Sequence, residues 1–79
     1  MKNELIVNID KIHTTIMLID RIKKNINIDG DVVEYCKKII INPNTNITKK
    51  GKNWYCTFEN KCITINASSY TIITAHNLK

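Results

Sequence analysis

The 79-residue chain has no apolar run approaching the roughly 18 residues needed to cross a bilayer, which excludes a membrane-spanning helix. Its N-terminus, "MKNELIVNID", holds Glu4 and Asp10 in or beside a short apolar run and lacks a small-residue cleavage site. A signal peptide is therefore not expected, and a cytoplasmic location is. There are three cysteines, an odd number, with no CxxC, no nearby histidine pair, and five residues between Cys56 and Cys62. That pattern gives neither a disulfide framework nor a structural zinc site. P-loop, paired-carboxylate and Ser-His-Asp patterns are also missing, so no metal and no small-molecule cofactor is expected.

Acidic residues are the other scarcity. Residues 1–34 carry five Lys/Arg against six Asp/Glu, a net of −1. Residues 35–79 carry seven Lys against Glu59 alone, a net of +6, and the two halves make up the overall +5. A half that is basic and nearly free of carboxylates suits a surface that faces a polyanion or an acidic protein. The near-neutral first half speaks against a helix-turn-helix DNA reader, because phosphate contacts need a cationic face.

The first half has helical periodicity. Leu5, Ile6, Ile9 and Ile12 recur at helix spacing, and so do Ile16, Ile19, Ile22 and Ile26. Thr14 and Thr15 stand where they can cap the second set. "NIDGD" breaks the pattern, with Gly30 as its flexible point. Asp31 with Glu34 then reads as a capping box opening "VVEYCKKII", whose apolar stripe is Val32 or Val33, Cys36, Ile39 and Ile40. Pro43 ends that helix and pushes Asn42 out of helical geometry.

The second half reads as strands: "TNITKK", "NWYCTF", "CITIN" and "YTIITAH", separated by turn residues. The fold class follows as α+β in one domain, residues 1–79: two or three N-terminal helices packed on one face of a four-stranded antiparallel sheet. In the central hairpin, Trp54, Cys56 and Phe58 share one side with Ile63 and Ile65, given a turn at Glu59–Asn60 or Asn60–Lys61. Cys56 then faces the core and Cys62 faces away, so they form no bridge. Tyr55, Thr57, Thr64 and Asn66 line the open face. The last strand has two registers open to it, since Ile72 and Ile73 are both apolar. The preferred one sends Thr71, Ile73 and Ala75 to the helices and puts Tyr70, Ile72, Thr74 and His76 on the open face. Lys49, Lys50 and Lys52 would rim that face.

"RIKKN", "DVVEYCKKII", "GKNWY" and "ITINASSYTIITAH" together resemble a family of short bacterial proteins known only as a domain of unknown function, from about His13 onward. That resemblance implies no activity. The order of helices and four strands, ending in "SYTIITAH", also looks like the RNA-cleaving group that includes barnase, EndoU, the tRNase colicins and RelE. This likeness implies RNA on the open face and metal-free cleavage through the ribose 2′-OH. On this chain such roles would fall to His76 as acid or base, Lys52 as phosphate cation, and Thr74 and Tyr55 beside them. Asn66, Ser69 and Tyr70, with Lys49, Lys50, Lys52 and Tyr55, would bind the RNA.

Each candidate also has a plain structural role. His76 also reads as a surface histidine, Tyr55 and Tyr70 as cross-strand packing, the lysines as a solvated hairpin tip, and Asn66 and Ser69 as turn residues. His13 reads as a capping or surface residue at a helix junction. The expectation is a small basic RNA-facing domain, with or without ribonuclease activity. The alternative is a non-enzymatic mobile-element inhibitor of the antidefence or anti-CRISPR kind, which would bind a nucleic-acid-binding protein complex.

Overall fold

The computed structural model describes residues 4–28 and 30–78. Helix α1 (Glu4–Val7) and a 3-10 turn (Ile9–Lys11) lead into α2 (Ile16–Ile26) and α3 (Val32–Ile41). Strands β1 (Asn46–Lys50), β2 (Asn53–Phe58), β3 (Lys61–Asn66) and β4 (Ile72–Asn77) follow. They form one antiparallel sheet in the order β1-β2-β3-β4, and the three helices pack on one side of it. Short sequential hairpins make this meander the simplest way to pair the strands.

Local chemistry sets the helix ends. The Thr15 hydroxyl accepts from the Leu18 N–H at 3.2 Å, and Asp31 Oδ1 accepts from the Glu34 N–H at 3.2 Å. Each satisfies one of the donors left free in a first turn. The reciprocal half of the expected capping box is missing, and the Glu34 carboxylate lies instead 4.0 Å from Lys37 Nζ. Asn42 is extended (φ −65°, ψ 128°) ahead of Pro43. In the "NIDGD" break, Asp29 lies outside the described residues, and Gly30 takes φ 90°.

The core joins Leu5, Ile12, Ile22, Ile26, Val32, Cys36, Ile39 and Ile40 from the helical half to Trp54, Cys56, Ile63, Ile65, Ile72 and Ala75 from the sheet. Ile16 departs from its expected place in the α2 stripe: it is 83% exposed at the helix's first turn.

β4 solves the register question in a way that neither simple alternation allows. A bulge between Thr64 and Ile65 pairs Ile65 with Ile72 and Thr64 with Thr74, leaving Ile73 as the extra residue. Ile72 and Ala75 therefore both point to the core and are fully buried, while Thr74 and His76 point the other way. The preferred register is corrected accordingly: Ile72 belongs to the core, not to the open face.

Candidate functional site

The uncovered side of the sheet is built from three cross-strand rows. One runs Asn46, Thr57, Cys62, His76; the next Thr48, Tyr55, Thr64, Thr74; the last Lys50, Asn53, Asn66. Alternation brings these side chains to one face because their sequence neighbours, Trp54, Cys56, Ile63 and Ile65, are buried under the helices. None of them is a carboxylate. Thr64 and Cys62 are only 7% and 8% exposed although they lie on the open side, because short side chains on a central strand sink between taller neighbours. The register pairs Cys56 with Ile63 and Thr57 with Cys62, and all three cysteines are free. Burial pushes the Cys36 and Cys56 thiols up to about 12, so neither is poised as a thiolate at neutral pH.

Tyr55 stands in the middle row, half-buried, with its hydroxyl accepting a long 3.5 Å contact from Asn53 Nδ2. Beside it Thr48, Lys50, Gly51 and Tyr55 line an open cleft of about 580 Å³. The loop Gly51–Lys52 turns there with Gly51 at φ 63°, the left-handed conformation that a two-residue hairpin needs at its first position. Lys50 and Lys52 are exposed, and no ion pair holds either among the described residues.

Of the sequence-predicted site residues, Tyr55, Thr74, His76, Asn66 and Lys50 share this face. Lys49 does not: it pairs with Trp54 on the helix side, its Nζ 5.7 Å from the centre of that ring. Nor does Tyr70, which precedes β4 at φ 60° and packs against the helix-side core with Lys11 Nζ 5.7 Å from its ring centre. Lys52 and His76 lie at opposite ends of the sheet. The Lys52 carbonyl accepts from Ala67 N–H beside Asn66, whereas His76 pairs with Cys62, a strand distance of roughly 13 Å away. The four catalytic candidates are thus spread along the sheet and are not gathered around His76. His76 is exposed and its side chain makes no hydrogen bond among the described residues.

Asn66 and Ser69 belong to a turn that periodicity did not single out as a unit. Asn66 Oδ1 accepts from the Ser68 and Ser69 N–H groups, both at 3.0 Å, and from the Ser69 hydroxyl at 3.2 Å. Ser69 Oγ lies 2.7 Å from Thr71 Oγ1, which lies 3.1 Å from His13 Nε2. His13 Nδ1 donates to the Lys11 carbonyl at 2.9 Å. His13 is thus a clamp between the N-terminal segment and the β3–β4 turn. Only its place at a helix junction hinted at this in the sequence.

A family model described as "Protein of unknown function (DUF3781)" matches residues 6–76. No curated protein and no solved structure matches the chain.

Proposed function

The chain belongs to that family of unknown function, and we propose that it is a small RNA-binding domain whose open sheet face takes single-stranded RNA. The observation that carries this reading is the carboxylate-free face itself, with Tyr55 at its centre and Lys50 and Lys52 at one end. A tyrosine ring on a sheet offers any base a stacking partner, and unpaired lysines beside it offer phosphates a counter-charge. Hydroxyl and amide groups along the rows supply donors and acceptors to sugar and base edges. The cleft at Thr48, Lys50, Gly51 and Tyr55 falls within the roughly 300–1,000 Å³ of small-ligand sites. The proposal is of binding. Catalysis by His76 together with Lys52 is not part of it, because the sheet holds them apart.

The test is fluorescence anisotropy with a labelled single-stranded RNA at low salt, using the purified chain and its Tyr55→Ala and Lys50→Gln variants. Saturable binding weakened by both substitutions supports the reading, and no binding at low salt ends it. Metal-free cleavage that disappears in His76→Ala would add an activity to the binding. A host protein captured from lysate even after nuclease treatment, with no RNA affinity in the pure chain, would favour the inhibitor of a nucleic-acid-processing complex instead.

A further inference from the structure

A four-stranded meander has two edges, and this chain treats them differently. The outer edge of β4 is capped at its first residue by the segment before α2: His13 N–H donates to the Tyr70 carbonyl at 3.1 Å, Ile72 N–H to the His13 carbonyl at 2.7 Å, and the Thr14 hydroxyl to the Ile72 carbonyl at 2.9 Å. His13 and Thr71 form a one-residue parallel bridge there. The outer edge of β1 has no such cover among the described residues. Its ladder to β2 is unbroken from Asn46↔Thr57 to Lys50↔Asn53, and the two-residue loop makes Lys50↔Asn53 a hydrogen-bonded pair. Alternation from that pair directs the N–H and C=O groups of Ile47 and Lys49 outward.

Edge strands are usually blunted by proline, a bulge, a covering element or charge. β1 contains no proline and no bulge, and its only charges are the two lysines at one end. Lys49 is drawn inward over the Trp54 ring, which leaves the backbone edge clear. From these observations we infer that the β1 edge is a docking edge for an extended acidic segment of a partner protein, added to the sheet as a fifth strand. Lys49 sits on the helix side of β1 and Lys50 on the open side, so an incoming strand with carboxylates on both faces meets a cation on each. No carboxylate occurs between Glu34 and Glu59 to oppose it. A second copy would bring the same +5 charge and the same lysines to the edge, which makes an acidic partner the better match. A nucleic acid answers the lysines, yet it cannot supply the alternating amide pattern that the edge presents. This edge adjoins the RNA face and shares Lys50 with it.

The probe is a ten-residue peptide repeating Glu-Glu-Val-Val, which puts carboxylates on both faces of an extended strand, blocked at both ends and titrated into the isotope-labelled full chain. The Ile47 and Lys49 amides should show the largest shifts and become protected from exchange. Ile47→Pro, which removes one outward N–H without touching the β2 ladder, should weaken binding by about tenfold or more. Against the unmutated chain, where folding is not in question, a peptide N-methylated on alternate amides along its pairing edge should not bind. Equal binding of the N-methylated peptide, or of a peptide with lysine in place of glutamate, overturns the inference. So does a dimer in sedimentation whose Ile47 and Lys49 amides are already protected, which would assign the edge to a second copy. An RNA titration of the full chain and its Tyr55→Ala variant reads the open face through a residue that the β1 edge does not use.

Discussion

His13 and Thr71, 58 residues apart, meet twice: through a backbone bridge, and through Nε2 and Oγ1 at 3.1 Å. The contact fastens the end of the N-terminal segment to the first residues of the last strand. A carbonyl can only accept, so His13 Nδ1 carries a proton toward the Lys11 carbonyl while Nε2 faces the Thr71 hydroxyl.

His13→Ala removes both side-chain bonds and leaves the backbone bridge in place. Because the site is exposed, the expected loss of stability is only about 1 kcal/mol, read from urea denaturation. The sharper readout is hydrogen exchange at Ile72, whose N–H donates to the His13 carbonyl and should exchange faster in the variant.

The bulge makes unlike neighbours of Ile72 and Ile73. Ile72 is fully buried against the helices, so Ile72→Ala should cost about 2–5 kcal/mol. Ile73 is the unpaired residue of the bulge and only half-buried, so Ile73→Ala should cost about 1 kcal/mol or less. Thermal or urea unfolding of the two variants gives the comparison, and equal losses would contradict this register.

Buried thiols make stability depend on alkaline pH. In the unfolded chain a cysteine releases its proton near 9.0, whereas in the fold burial holds the proton on Cys36 and Cys56 to about 12. Between those values the folded chain binds more protons than the unfolded one, so the stabilisation is complete below pH 9 and falls as pH rises through the window. Urea midpoints measured upward from neutral pH should drop above pH 9, and Cys36→Ala should flatten the drop. At neutral pH both thiols should resist alkylation until the protein is unfolded.

RNA binding should separate stacking from charge. Tyr55→Ala is expected to lose about 1–3 kcal/mol of affinity at any salt concentration, the contribution of one stacked base. Lys50→Gln should instead reduce the slope of log affinity against log salt by about 0.7, the share of one phosphate contact to a single strand. Lys49→Gln should leave that slope nearly unchanged, since Lys49 lies on the helix side over Trp54.

Much of the architecture was legible in the sequence because it rests on short-range rules. Thr15 and Asp31 cap the helices they precede, and Asn42 leaves helical geometry ahead of Pro43. The alternation of Trp54, Cys56 and Phe58 against Ile63 and Ile65 settled which faces meet and kept Cys56 from Cys62, while the structure chose the turn at Glu59–Asn60 of the two that alternation allowed. Period and capping are properties of a few consecutive residues, so they survive without knowledge of the fold. The site was only partly legible for the same reason. Tyr55, Thr74 and His76 follow strand parity to the open face, but Lys49 lies on the wrong side of its strand and Tyr70 lies before β4 begins.

By itself the sequence determined that helices precede strands, which faces β2 and β3 bury, and that the second half is almost without negative charge. Only the tertiary structure decided the bulge at Thr64/Ile65, the bridge from His13 to the start of the last strand, and the separation of Lys52 from His76. These three depend on which distant segments touch. A one-residue bulge reverses side-chain parity at no visible cost in composition, and the two ends of a strand become far apart only once it is drawn out in the sheet.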